Sequence, residues 1–139
     1  LSATNMVEAS KDLLVRSKSP SIVCISSICG ISVIKNAPIA YSCSKAALNM
    51  YVKSISKILA MDSIRINAIA PGNILFKNST WERKLNENKE HTLHYIKENV
   101  PLDRFGSPED VAKLTYYMLT DQAKFMTGSI IPLDGGQSS

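Results

Sequence analysis

Apolar residues recur along this chain with two different periods, and the switches between them mark out its elements. From Leu1 to Arg16, Met6, Val7, Leu13 and Leu14 fall at helical spacing. After Pro20, the run Ser21-Ile22-Val23-Cys24-Ile25-Ser26 is short, apolar and rich in β-branched residues, as expected of a parallel strand buried on both faces. Ile31 to Ile39 reads as a loop, because Pro38 cannot stand inside a helix and places the next helix start at or after it. The helix expected over Ala40 to Met61 carries Ala47, Leu48, Tyr51, Val52, Ile55, Ile58 and Leu59 as one wide stripe, with Lys53 and Lys57 on the wet side. Such a stripe fits simple core packing, or a sheet on one flank and a partner subunit on the other.

Ile64 to Ala70 reads as a second strand, entered through an Asp62-Ser63 turn and ended by the bend at Pro71-Gly72. Ser79 with Glu82 makes a capping box, which predicts a polar helix from Thr80 toward Glu98. Ser107 as cap, Pro108 at the first helical position and Glu109 and Asp110 in the first turn open another helix, running to about Thr120. Ser129 to Leu133 is a third strand, followed by a turn at Asp134-Gly135-Gly136. This order implies an α/β fold of three parallel strands with right-handed crossovers, the second half of a doubly wound sheet. The first strand, apolar on both faces, is then left with an open edge. Together with the abrupt helical opening, this predicts a chain that is poorly stable alone or a piece of a longer protein.

Composition narrows the function classes. At 139 residues the chain is one partial domain, 1–139, able to bury roughly two-thirds of its unfolded surface. Sixteen basic against 12 acidic residues give a net charge of +4, and the basic residues are scattered, which favours solubility over nucleic-acid binding. Three cysteines, at 24, 29 and 43, are odd in number and lack Cys-x-x-Cys spacing, against a disulfide framework or a zinc site. Cys24 and Cys29 read as small buried hydrophobes. No secretory signal and no apolar run of ~18 residues mark export or a membrane span, so a reducing, cytoplasmic setting is expected. Asn78-Ser79-Thr80 matches a glycosylation acceptor that matters only in a secreted protein. His91 and His94 stand three apart with no third ligand nearby, which reads as a solvated helix face before it reads as a metal site.

The chemistry is concentrated in Tyr41-Ser42-Cys43-Ser44-Lys45. On a helix, residues four apart lie about 40° from one another around the axis, so the Tyr41 phenol and Lys45 ammonium share a face. A fixed cation within ~4–6 Å favours the phenolate form of a phenol, which makes the pair a candidate general acid/base. Tyr-x-x-x-Lys alone is common on helices, and its context gives it weight. Ser26-Ser27 ends the first strand, and open α/β sheets place chemistry at the carboxyl ends of their strands.

Several blocks of the chain taken together resemble the short-chain dehydrogenase/reductase family. They are Ile25-Ser26-Ser27-Ile28-Cys29-Gly30, Tyr41-x-x-x-Lys45 followed by Ala46-Ala47-Leu48, Ile64-Arg65-Ile66-Asn67-Ala68-Ile69-Ala70-Pro71-Gly72, Arg104-Phe105-Gly106-Ser107-Pro108-Glu109-Asp110-Val111-Ala112, and a closing Thr127-Gly128 with Asp134-Gly135-Gly136. The resemblance implies hydride transfer between NAD or NADP and a small-molecule alcohol or carbonyl. It implies that Ser27 hydrogen-bonds the substrate oxygen, Tyr41 exchanges the proton, and Lys45 holds the nicotinamide ribose while tuning Tyr41. After Pro71 and Gly72, the backbone of Asn73 and Ile74 is expected to contact the nicotinamide carboxamide. The region from Phe76 to Val100 corresponds to a substrate lid, with Trp81, Phe76 and Leu85 as candidate pocket residues, although a satellite hydrophobic contact is the simpler reading of these three. Homo-oligomers built on the Tyr41 helix and its predecessor are expected of the full-length protein, with neither nucleic acid nor membrane as partner. The family's first half, with its glycine-rich nucleotide loop, has no counterpart here, and none of the six glycines forms Gly-x-Gly-x-x-Gly. A non-catalytic relative that binds a ligand or pairs with a true enzyme, and a truncated product without activity, are the competing readings.

Overall fold

A computed structural model describes residues 2–139. Its strands β1 (Ser21–Ile25), β2 (Arg65–Pro71) and β3 (Ile130–Leu133) form a parallel sheet in the order β1-β2-β3, with Cys24 opposite Ala68 and Ile69 opposite Ile131. β2 has a neighbour on each side, and Ile66, Ala68, Ile69 and Ala70 are fully buried, as a central parallel strand requires. Among the described residues β1 pairs only with β2, which leaves its other edge open there, and Ile25 at its carboxyl end is 47% exposed.

Helix α1 (Ser2–Val15) and helix α2 (Ile39–Leu59) supply Val7, Val52 and Leu59 to one cluster with Ile64, Ile66 and Ala68. The α2 stripe divides: Val52 and Leu59 are buried, Leu48, Tyr51 and Ile55 pack against the cluster, and Ala47 and Ile58 face solvent. α2 gives way to a short 3-10 turn, Ala60–Asp62, and Ser63 takes a left-handed φ of 58°, which turns the chain into β2. Leu1 lies outside the described residues.

One polar residue sits in the middle of β2. Asn67 is fully buried, and its Oδ1 accepts from the Ser129 N–H at 3.0 Å while its Nδ2 donates to the Met126 carbonyl at 2.9 Å. Its amide thereby fastens the approach to β3, and both of its polar ends are paired. Arg65, at the start of β2, donates to the carbonyls of Met118, Thr120 and Met126. The first two belong to the end of helix α5 (Pro108–Leu119) and its cap, where carbonyls lack helical partners and favour a cation. α5 opens with the expected Ser107 cap and Pro108, and the cap is closed into a capping box, Ser107 Oγ accepting from Asp110 N–H while the Asp110 carboxylate accepts from Ser107 N–H.

The single polar helix expected from Thr80 toward Glu98 is two helices, α3 (Thr80–Glu87) and α4 (Lys89–Asn99). Asn88 causes the break. Its backbone is extended, and its side chain accepts from the His91 N–H at 3.0 Å, ending one helix and capping the next. Cys24 and Cys29 are only partly buried and Cys43 is exposed, all as free thiols. Burial also pushes the Cys24 thiol up, against the opposing pull of Lys45. No described helix is long and apolar enough to cross a membrane.

Candidate functional site

The carboxyl end of β1 runs into Ser26 and Ser27, both buried, and then into a 3-10 turn, Ile28–Gly30. Ser27 caps that turn, its Oγ accepting from the Cys29 N–H at 3.2 Å. The accepting oxygen is thereby fixed while the hydroxyl proton stays available to an outside acceptor. Gly30 brings the turn directly against α2. A Cβ built at Gly30 would stand 2.6 Å from the Lys45 carbonyl carbon and 2.8 Å from the Ala46 nitrogen, so only glycine permits this approach. Asn49, one turn beyond Lys45, fastens the contact by donating to the Gly30 carbonyl at 3.0 Å.

This seam sets Ser27 beside the first turn of α2, where Tyr41 is 43% exposed. Lys45 holds its Nζ 5.6 Å from the centre of the Tyr41 ring, within reach of the ring's negative face. The same ammonium donates to the Ile25 carbonyl at 3.0 Å. Among the described residues, the Tyr41 hydroxyl meets no protein hydrogen-bond partner.

Ser27, Tyr41, Gly72 and Asn73 line a single cleft of about 520 Å3, large enough for a small organic molecule. The other residues named from the sequence divide around it. Lys45 opens instead onto a neighbouring hollow with Ser2, Ser44 and Tyr51. Pro71 ends β2 without lining the cleft, and Ile74 lines a smaller cavity of about 100 Å3 with Val100, Arg104 and Gly106. The Asn73 carbonyl accepts from the Gly106 N–H at 2.9 Å, while the Asn73 and Ile74 N–H groups meet no carbonyl of the described residues.

The far wall of the cleft comes from α3 and α4. Of the three candidates Trp81 lines it, whereas Phe76 and Leu85 do not. Trp81 stacks on Tyr95 with ring centres 5.5 Å apart and leans on Phe105 at 5.5 Å. Lys84 places its ammonium 4.5 Å from the Trp81 ring centre. His91 lines the cleft and His94 is exposed on the same helix; among the described residues no group of side chains has the makings of a metal site.

Two linked residues carried no signal in the sequence, Tyr95 at this wall and Gln137 behind it. Both act through contacts that the order of the chain does not announce: Gln137 stands in the closing turn, 42 residues from its partner Tyr95. Asp134 shapes that turn, accepting from the Gly136 N–H at 3.0 Å and from the Ser138 N–H at 2.8 Å, with Ser138 Oγ as a further donor. Burial works against ionisation of Asp134, yet these hydrogen bonds outweigh it and hold the carboxyl below its ordinary value.

A family profile described as enoyl-(acyl carrier protein) reductase matches residues 1–138. The chain is 34% identical over 131 residues to an isoepoxydon dehydrogenase of Aspergillus clavatus, a match covering 94% of this chain and 50% of that protein. Among solved structures, the RhlG–NADP active-site complex of Pseudomonas aeruginosa superposes with a TM-score of 0.86 and 32% identity, over 99% of this chain and 56% of that one. A 4-hydroxyisoleucine dehydrogenase complexed with NADH superposes with a TM-score of 0.85 and 31% identity, over 98% and 54%. The chain spans about half the length of the curated relatives it matches.

Proposed function

Because the chain belongs to the short-chain dehydrogenase/reductase family, we propose that it supplies the catalytic half of an oxidoreductase that moves a hydride between NAD or NADP and a small alcohol or carbonyl compound. The observation that carries this reading is the cleft that Ser27 and Tyr41 both line, with the Lys45 ammonium 5.6 Å from the Tyr41 ring. Solved relatives hold NADH and NADP, and the donors at the carboxyl end of β2 suit the same cofactor. There the uncommitted N–H groups of Asn73 and Ile74 match the carbonyl of a nicotinamide carboxamide, a group that needs a donor. The cofactor, when bound, supplies the hydride chemistry.

In this reading Ser27 donates its free hydroxyl proton to the substrate oxygen and orients it toward Tyr41. Tyr41 gives its phenolic proton to that oxygen during reduction and takes it back during oxidation. Lys45 lends positive charge on the flank of the ring, which stabilises the phenolate left behind, and its ammonium would hold the ribose of a bound nicotinamide cofactor. The non-catalytic relative and the inactive truncated product remain the contrary outcomes of the test. In the native full-length polypeptide, Tyr41→Phe is expected to lower turnover of a carbonyl substrate with NADH or NADPH by about 10²- to 10⁴-fold while cofactor binding stays nearly unchanged. Equal turnover by the parent and the variant overturns the assignment.

A further inference from the structure

The cleft holds a second hydrogen-bonding group, with its own line of support. Asn73 Nδ2 donates to Gln137 Oε1 at 2.8 Å, and Gln137 Nε2 donates to the Tyr95 hydroxyl oxygen at 3.2 Å. This relay has a direction, since each amide accepts at its oxygen and donates at its nitrogen. It arrives at Tyr95 as a donor, so the phenol oxygen is used as the acceptor and its proton is left over. Among the described residues that proton meets no protein acceptor. Tyr95 lines the cleft from α4, an element different from the strand end that carries Ser27.

The two ends of the relay are anchored. Asn73 is held through its carbonyl by the Gly106 N–H. The turn bearing Gln137 is clamped from inside by Asp134, and Leu102 N–H donates to the Gly135 carbonyl at 3.1 Å. It also sits tight on the segment after α4: a Cβ at Gly135 would stand 2.8 Å from Val100 Cγ1, and one at Gly136, where φ is +91°, would stand 3.0 Å from Pro101 Cγ. Tyr95 is steadied on its other side by the stack with Trp81. A phenol so fixed, with an unused proton, is prepared to donate to a ligand oxygen that lies apart from the one Ser27 and Tyr41 address.

Resting on the oxidoreductase reading above, we propose that Tyr95 is a substrate-binding residue that donates a hydrogen bond to a second oxygen of the substrate, and that Gln137 is the positioning residue that turns its proton into the cleft. The substrate class is therefore a carbonyl or alcohol compound bearing a further hydroxyl or carbonyl oxygen a few bonds from the reacting carbon. A simple ketone or alcohol leaves the Tyr95 proton unpaired and binds less well.

The test uses the native full-length polypeptide and two matched pairs of ketones: 4-hydroxycyclohexanone against cyclohexanone, and ethyl acetoacetate against 2-heptanone. A neutral hydrogen bond predicts that at least one dioxygenated compound has a KM about three- to tenfold lower than its partner, with kcat little changed. Tyr95→Phe keeps the ring stack and is expected to bring that ratio to about one without altering the KM of the mono-oxygenated ketone. Gln137→Glu reverses the relay, because a carboxylate accepts from Tyr95 and draws its proton out of the cleft; it is expected to abolish the preference although the link itself survives. A merely structural Gln137 predicts the opposite, a preference that persists in Gln137→Glu. The proposal is overturned if the parent shows no preference in either pair, or if Tyr95→Phe keeps the preference or weakens both members of a pair equally. If no ketone is turned over with either nicotinamide, the oxidoreductase reading fails by itself. Calorimetric dissociation constants for the same compounds, parent against Tyr95→Phe, then decide the role of Tyr95 by the same ratio.

Discussion

Gly30→Ala tests whether the seam between the 3-10 turn and α2 is as tight as described. The new Cβ would stand 2.6 Å from the Lys45 carbonyl carbon, 2.8 Å from the Ala46 nitrogen and 2.8 Å from Lys45 Cβ. Ordinary carbon contacts need about 3.5–4.0 Å, so the turn and the helix must part by roughly 1 Å. Two of the three obstacles are backbone atoms and cannot rotate away. Such overpacking costs about 1–3 kcal/mol. Unfolding entropy of about 2.1 cal/mol/K per residue gives about 0.6 kcal/mol/K for a full-length polypeptide about twice this long, as its relatives are, and hence a fall in Tm of about 2–5 °C there. A second consequence falls on the site. The turn carries Ser27 and the helix carries Tyr41 and Lys45, so parting them misplaces the groups that act together, and a misplacement of about 1 Å can cost about 10²-fold in rate. Thermal melting followed by circular dichroism reads the first effect, and kcat/KM with a nicotinamide cofactor reads the second. A variant that melts within 1 °C of the parent refutes the close approach. One that melts lower but turns over unchanged refutes the claim that this seam sets the catalytic spacing.

Other substitutions separate the remaining contributions. Asn67→Leu strands the Ser129 N–H and the Met126 carbonyl and should destabilise the fold by about 2–4 kcal/mol, read as a lower urea midpoint at unchanged slope; an unchanged midpoint would show that water replaces the amide. Asp134 has a depressed folded pKa, so its contribution is complete above the unfolded carboxylate value and is lost as pH falls through the lower folded one. The parent should therefore lose stability on acidification below about pH 4, and the difference from Asp134→Asn should shrink over the same window; a gap that stays constant down to pH 2 would exclude this linkage. Lys45→Ala should weaken both turnover and cofactor affinity, in contrast to Tyr41→Phe. Loss of turnover alone would remove Lys45 from cofactor binding. Asn88→Ala removes the cap of α4 and should cost about 0.5–2 kcal/mol, detected as faster amide exchange at His91.

The sheet was legible because its signals are local. A continuous β-branched run after Pro20, a second ended by Pro71-Gly72, and the cap-and-proline opening at Ser107-Pro108 each state their structure within a few residues. The pairing of Tyr41 with Lys45 followed from helical geometry alone. What could not be read depended on distant partners. Lys45 rests on the Ile25 carbonyl, a contact set by how α2 crosses β1 and not by its own helix. The lid differs from the sequence expectation for a local reason: Asn88 is polar enough to sit on a helix surface, yet its side chain competes with the helix for the backbone of His91. Phe76 and Leu85, which the sequence leaves open between a cleft wall and a satellite hydrophobic contact, stand outside the lining that Trp81 reaches. Tyr95 and Gln137 gain their meaning only when the last turn of the chain folds back on α4.

The one-sided pairing of β1 divides its amides into two populations. Ser26 N–H donates to the Ile69 carbonyl and the Pro20 carbonyl accepts from Arg65 N–H. A parallel ladder alternates, so Ile22 and Cys24 turn toward β2 while Val23 and Ile25 turn outward. In deuterated water, adjacent residues of this strand should thus report different depths of protection, with Val23 and Ile25 losing their protons early and Cys24 and Ser26 following the sheet. The outward Ile25 carbonyl is the one that Lys45 occupies. A chain laid along that edge would claim the same row of groups, so exchange at Val23 and the resting place of the Lys45 ammonium report on a single event.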